Sequence, residues 1–323
     1  MNASFIIPNP SAFVSGGNTF NSALLTTLSG SGISCDIVPI DDFLDGEPTA
    51  KAVLIDSLYF DRISTSKFND TVTIGLIHYL EILEQPKLDS SNDQLRFLHG
   101  LDYCICPSQF VHDRLLALGL NIDQLLVIQP AVKPFTRIDK PVSDKVKAIM
   151  VNNLTEIKGV REFLDALSNA SIPPDYKITI VGDTSRDPDY TEACQTIVRD
   201  DHNLSKTVRF VGQQSPDSIA SLMQTSNLFL SNSRFETFGI AIQEANQSGI
   251  PILIRTGGNA TNHVNDNING YTAPDSDSLV RTFERLIANP DQFRALQLSA
   301  SQYHHPYSKS HSPAIEKLIE HLQ

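Results

Sequence analysis

The chain has 323 residues, of which 41% are hydrophobic and 19% charged, and its formal net charge is −12. That length predicts two domains with apolar residues enough for two cores. Residues 1–140 carry 9 Lys+Arg against 16 Asp+Glu and the rest 16 against 21; with neither part basic, a nucleic acid groove or an anionic membrane surface is excluded as the main partner. No apolar run approaches the roughly 18 residues of a membrane span. "MNASFIIPNPSAF" lacks the basic start and long apolar core of a signal peptide, so the expected location is cytoplasmic. The four cysteines are scattered and read as reduced structural thiols. Cys104 and Cys106 fall in one short strand and are expected on opposite sides of it, which argues against a shared metal.

In chain order, "SFIIPNP" reads as a first strand. After "SGGN", Phe20, Ala23, Leu24 and Leu28 recur at helical spacing, with Gly30 as a stop. "CDIVPI", "KAVLIDSLYF", "TVTIGLIHYLE" and "LDYCICPS" read as further strands, and "SQFVHDRLLALGL" as a helix before "LLVIQPAV". "AVKPFTRIDKPVSDK", with two prolines and mixed charge, reads as a linker. The pattern then restarts. "KVKAIMVNN", "YKITIVGD", "TVRFVGQ", "NLFLSNS" and "IPILIRTGG" are strands. "GVREFLDALSN", "TEACQTIVRDD", "PDSIASLMQTS", "TFGIAIQEANQSG", "DSLVRTFERLIANP" and the last 20 residues are helices. Two tandem units of alternating strands and helices predict two doubly wound parallel sheets.

The stretch "RFETFGIAIQEA", residues 234–245, keeps Glu236 and Glu244 in an otherwise small or apolar run. Buried Glu is costly unless paired. A strand, a short turn and a helix beginning near Thr237 would place this segment at the carboxyl end of a sheet, where doubly wound domains bind ligands. Free N–H groups at Thr237, Phe238 and Gly239 would favour a phosphate. One carboxylate could take sugar hydroxyls and the other a ribose diol. Spacing alone leaves the plainer alternative open: Glu236 favours a helix start and Glu244 pairs with a surface cation.

"SNSRFETFGIAIQEANQSGIPILIRTGG...NGY" resembles the donor-site region of retaining family-4 glycosyltransferases of the GT-B fold, with their Glu-x7-Glu signature. "NNLTEIKGVREFLDAL", "ITIVGD", "VRFVGQ", "CPSQFVHDRLLALG" and "VIQPAV" resemble other family segments in the same order, over about residues 1–300. The resemblance implies two Rossmann-like doubly wound α/β domains facing across a cleft, an acceptor-side domain over 1–140 and a donor domain over 141–300, with residues 301–323 as a helix crossing back. It implies transfer of a sugar from a nucleotide-diphosphate sugar to an acceptor hydroxyl with retention, with no cofactor and no metal. Glu236 would contact hydroxyls of the transferred sugar and Glu244 the ribose. The backbone of Thr237, Phe238 and Gly239 would meet sugar and diphosphate. Lys158 would stabilise the leaving diphosphate, Gly16 and Gly17 would form a loop over the phosphates, and His78 would lie near the transferred sugar.

One departure stands out. The family has a basic "G-R-L" before its "KG", whereas this chain has "NNL", so Asn153 replaces an Arg that helps hold the phosphates. Arg234 is the candidate substitute. The departure also keeps alive a different reading, a catalytically degenerate nucleotide-sugar-binding partner of an active transferase. A nicotinamide oxidoreductase is the remaining rival, but no glycine fingerprint with its acidic ribose residue is present. "DPD" at 187–189 is expected to be a solvated turn, and His304, His305 and His311 surface histidines. Expected partners are the nucleotide-sugar and a saccharide, small-molecule or protein acceptor, with no nucleic acid. The helix expected over 18–29 has no Lys or Arg, so membrane association is not expected.

Overall fold

The computed structural model describes residues 2–9, 15–46, 50–64, 67–68, 71–84, 93–132, 142–304 and 313–322. The chain divides into two compact units, one of residues 1–131 with 308–323 and the other of 132–307. The segment expected as a linker ends before the first strand of unit 2, and its residues 133–141 lie outside the described ones.

Unit 1 comprises β1 (Asn2–Ile6), α1 (Gly16–Gly30), β2 (Ser34–Ile37), α2 (Ile40–Asp45), β3 (Ala52–Asp56), β4 (Val72–Leu76), α3 (Asp93–His99), β5 (Tyr103–Cys106), α4 (Gln109–Ala117), β6 (Leu125–Val127) and, from the far end of the chain, α12 (Pro313–Leu322). Its six strands are all parallel, in the order β2-β1-β3-β4-β5-β6. A parallel sheet is covered on both faces, so its inner strands read as continuous apolar runs; "AVLID" of β3 is buried at every position. Phe20, Leu24 and Leu28 of α1 pack on one face with Phe5, Leu54 and Ile74, and Leu318 and Leu322 of α12 enter the same cluster. The Tyr103 ring stacks on His321 at 4.2 Å.

Unit 2 comprises β7 (Val146–Val151), α5 (Val160–Ser168), β8 (Tyr176–Val181), α6 (Pro188–Asp200), α7 (Leu204–Thr207), β9 (Val208–Phe210), α8 (Pro216–Thr225), β10 (Leu228–Ser231), α9 (Ile240–Ser248), β11 (Ile252–Arg255), β12 (Gly270–Ala273), α10 (Ser276–Ala288) and α11 (Pro290–Gln302). The parallel order is β12-β11-β10-β7-β8-β9. Alternation along β10 divides its side chains between two cores. Leu228 and Leu230 join Phe163, Phe283 and Phe293, while Phe229 joins Ile149, Met223 and Ile242. Val160, Phe163, Leu164 and Leu167 supply the buried stripe of α5 at helical spacing.

Three expectations are corrected. The helix expected from Thr237 begins at Ile240, because Gly239 takes the left-handed conformation (φ +92°) that no α-helix accommodates. The "DPD" segment is a helix start rather than a turn: Asp187 caps α6, its carboxylate accepting from the Tyr190 N–H at 3.0 Å, with Pro188 in the first turn. Of the last 20 residues, expected as a helix, 313–322 are helical, while 305–312 and 323 lie outside the described residues. Cys104 and Cys106, one residue apart on β5, share a face, since side chains alternate along a strand. Both thiols are fully buried, and burial raises the Cys104 pKa to about 12 and the Cys106 pKa well above its ordinary value. Among the described residues no group of three or more His, Cys, Asp or Glu could hold a metal ion. His304 is exposed, and His305 and His311 lie outside the described residues. No described helix is long and apolar enough to cross a membrane.

Leu318 is fully buried in the unit 1 cluster, so Leu318→Ala should cost about 2–5 kcal/mol. Hydrogen exchange read by mass spectrometry should show β5 and β6 opening more readily while β7 and β8 keep their protection. Equal loosening of both sheets would contradict the placement of α12 in the core of unit 1.

Candidate functional site

In an open parallel sheet, neighbouring strands whose connections leave toward opposite faces create a crevice at their carboxyl ends. In unit 2 that point lies between β7 and β10. The loops that follow these two strands carry Asn153 and Lys158 on one side and Arg234 and Glu236 on the other.

The two loops are tied together by backbone. The Arg234 N–H donates to the Ile157 carbonyl at 2.8 Å. The fully buried Asn232 donates its amide to the Gly159 carbonyl at 2.6 Å and to Ser276 Oγ at 2.9 Å. At Gly159 (φ +63°) a Cβ would lie 2.3 Å from the Asn232 carbonyl oxygen, so no other residue lets the chains approach this closely. Lys158, immediately before it, closes a short 3₁₀ turn (Glu156–Lys158). Its Nζ reaches Glu236 Oε1 at 2.7 Å, with side chains 27% and 14% exposed. Such a half-buried pair gains more from its Coulomb attraction than one in open water. Glu236 is held from behind: its N–H donates to the Gly257 carbonyl at 3.3 Å and its carbonyl accepts from the Asn259 N–H at 2.7 Å.

Arg234 lies beside this pair, but its guanidinium is engaged with carboxylates, Glu156 at 3.2 Å and Glu162 on α5. Burial works against its charge and the two carboxylates outweigh it, so its pKa is raised. Asn153 Oδ1 accepts from the Asp183 N–H at 3.1 Å, linking the ends of β7 and β8.

Thr237, Phe238 and Gly239 form the turn before α9. Phe238 is buried, and its ring meets His263 edge-on at 5.4 Å. The Phe238 carbonyl is drawn inward by two donors, His263 Nε2 at 2.5 Å and the Asn259 amide at 2.8 Å. Glu244 stands half-buried in the second turn of α9, and its carbonyl accepts from Ser248 Oγ at 2.9 Å.

In unit 1 the corresponding point lies between β1 and β3. Gly16 and Gly17 occupy the first turn of α1, whose N-cap Ser15 accepts from the Asn18 N–H at 3.1 Å. His78 follows β4, its side chain 17% exposed. A Cβ on Gly17 would lie 3.1 Å from the His78 ring. His78 Nε2 meets Asn21 Oδ1 at 2.8 Å, and the Asn21 amide donates to Asp56 Oδ2 at 3.0 Å. Burial lowers the His78 pKa, with Asp56 pulling the other way.

The structure thus joins Lys158 to Glu236 and sets Arg234 beside them. It sets Gly17 against His78, in the other unit. Sequence reading did not reach Asn21, Asp56, Glu162, Asn232, Asn259 or His263. Each is polar and works on a partner 20 or more residues away, so no local spacing marks it.

Comparison with known proteins gives a family. The model of "Glycosyl transferases group 1" matches residues 133–302, more than half of the chain. A component of the phosphatidylinositol N-acetylglucosaminyltransferase of Arabidopsis thaliana is 26% identical over 214 residues, covering 62% of this chain and 46% of that protein. Alpha-monoglucosyldiacylglycerol synthase of Streptococcus pneumoniae is 24% identical over 213 residues, covering 60% and 47%. The chain therefore spans about half the length of these curated relatives. Among solved structures, Anabaena HepE in complex with UDP-glucose is similar with TM-score 0.73 at 16% identity, covering 100% of this chain and 98% of that one. Sucrose-phosphate synthase from Thermosynechococcus elongatus gives 0.73 at 16% identity, covering 99% and 96%. At such identity these two speak to fold: two six-stranded parallel sheets with flanking helices, the α/β architecture of GT-B glycosyltransferases. Together with the family match over residues 133–302, this makes the chain a member of the group 1 glycosyl transferases.

Proposed function

We propose that the protein is a retaining glycosyltransferase that moves a hexosyl group from a nucleotide-diphosphate sugar to an acceptor hydroxyl. The carrying observation is the Lys158–Glu236 pair at the carboxyl ends of β7 and β10. Two opposite charges lie side by side where a doubly wound sheet takes its ligand. A bound diphosphate would draw the Lys158 ammonium off Glu236, because the phosphate oxygens carry more charge. Lys158 would then stand where negative charge develops as the glycosidic bond breaks, which is electrostatic catalysis. Glu236, released, would accept hydrogen bonds from hydroxyls of the transferred sugar. Glu244 would hold the ribose diol, and the N–H groups of Thr237, Phe238 and Gly239 would meet sugar and diphosphate.

In this mechanism the leaving phosphate takes the acceptor proton on the same face. No side-chain nucleophile and no metal is then required. Gly16 and Gly17 are read as approaching the phosphates, and His78 as meeting a substrate hydroxyl. HepE's complex with UDP-glucose supports a nucleotide-sugar as donor. Relatives' names mention phosphatidylinositol, diacylglycerol and malate, so kinship does not single out an acceptor class. Asn153 is the one feature favouring the degenerate-partner reading, and the paired Lys158 and Glu236 oppose it.

Three outcomes are expected. Thermal unfolding with UDP, GDP and ADP, each with and without a linked sugar, should show stabilisation by one nucleotide, about 2.7 kcal/mol at 100 times its dissociation constant, lost in Glu244→Ala. A flat response to all six would count against the proposal. Lys158→Met in a Glu236→Gln background keeps a neutral pair in place. It should retain the fold and lower kcat by roughly 10²–10³-fold, the size of a lost charge-stabilising donor. If Arg234 substitutes for the Arg absent at 153, Arg234→Ala should lower turnover at least tenfold while costing about 0–1 kcal/mol of stability, as expected for half-exposed ion pairs; unchanged turnover would assign Arg234 to Glu156 and Glu162 alone.

A further inference from the structure

We propose that Asn21 and Asp56 are positioning residues that lock His78 as its Nε2–H tautomer, so that Nδ1 presents a lone pair to a substrate hydroxyl. The role of the lone pair rests on the reading of His78 given above; the lock itself rests on a chain of hydrogen bonds in unit 1.

The chain has one consistent polarity. Asp56 ends β3 and is 4% exposed. Its Oδ1 accepts from the Leu58 N–H at 2.9 Å, and its Oδ2 accepts from Asn21 Nδ2 at 3.0 Å. An ionised carboxylate only accepts, so Asn21 must turn its amino group to Asp56 and its carbonyl the other way. That carbonyl meets His78 Nε2 at 2.8 Å. A carbonyl also only accepts, so Nε2 must carry the hydrogen, and in a neutral imidazole Nδ1 is then bare. Asp56 Oδ2 lies 3.5 Å from the same Nε2 and favours the same proton position. Among the described residues Nδ1 has no hydrogen-bond partner.

The ring is closely packed, and turning it over would break the Nε2 contact with Asn21. Phe20 packs edge-on at 5.5 Å, and Gly17 leaves just the room the ring fills. The His78 and Tyr79 N–H groups donate to Ser57 Oγ at 3.1 and 3.3 Å. Burial holds the ring toward its neutral form. Asn21 is fully buried. Burying an amide and a carboxylate together is costly where apolar residues would pack as well. A specified tautomer is what the arrangement yields in return.

The test is the proton position on His78 in the full-length protein, read by long-range ¹H–¹⁵N correlation after ¹⁵N-histidine labelling, with His78→Gln identifying the signals. Wild type should carry the proton on Nε2. In Asp56→Asn, residue 56 keeps its carbonyl on the Leu58 N–H and offers its amino group to Asn21. Asn21 then flips, its amino group faces Nε2, and the proton should move to Nδ1. The exchanged pair, Asn21→Asp with Asp56→Asn, again places an acceptor oxygen against Nε2, now a carboxylate's, and should restore the Nε2–H form. Turnover should follow the tautomer, falling roughly 10²-fold in Asp56→Asn, as for a misplaced catalytic contact, and recovering in the double variant. A wild-type proton on Nδ1, or a tautomer indifferent to both substitutions, would overturn the lock. Tautomer inversion with unchanged turnover would overturn its use. If wild type turns over no nucleotide-sugar, the glycosyl-transfer reading fails, while the proton position still decides the lock.

Discussion

The site in unit 2 depends on one close approach of backbone to backbone. At Gly159 the loop after β7 comes so near the loop after β10 that a Cβ would sit 2.3 Å from the Asn232 carbonyl. This proximity lets Asn232 bridge to Gly159 and Arg234 to Ile157, and it carries Lys158 to within 2.7 Å of Glu236. The residues that would do the chemistry are long and charged. The residue that permits their meeting has no side chain.

The two units solve the same problem in different ways. Each puts polar side chains at the carboxyl ends of parallel strands, where the connections leave a crevice. In unit 2 the partners are charges facing each other, Lys158 with Glu236 and Arg234 with Glu156 and Glu162. In unit 1 the group is buried, and a carboxylate acts through an amide on a neutral ring. On the proposed reading, the first arrangement exchanges partners when an anion arrives. The second keeps its partners and fixes an orientation.

Much of the fold was legible because parallel strands buried on both faces announce themselves as apolar runs, as in "AVLID" and "LFLS". Shorter or less apolar elements were not. β12, "GYTA", has two buried residues of four, and α11 follows α10 so closely that "ANP" reads as an end rather than a junction. The start of α9 was misplaced by three residues because the left-handed backbone of Gly239 leaves no mark in an apolar pattern. In the site, Lys158 and Glu236 stand in recognisable motifs 78 positions apart, but their ion pair is a tertiary fact. His263, buried against Phe238, and Asn21, buried against Asp56, had no signal beyond being polar.

The return of α12 to unit 1 has a consequence for how the chain is made. Leu318 and Leu322 share a core with Phe5, Leu54 and Ile74, yet they leave the ribosome after all of unit 2. Unit 2 is continuous and can fold as soon as it emerges, as domains generally do. Unit 1 is interrupted by unit 2 and completed after it, and in the interval the surface that α12 will cover faces water. The strands of unit 1 wait on a helix that is made only after unit 2.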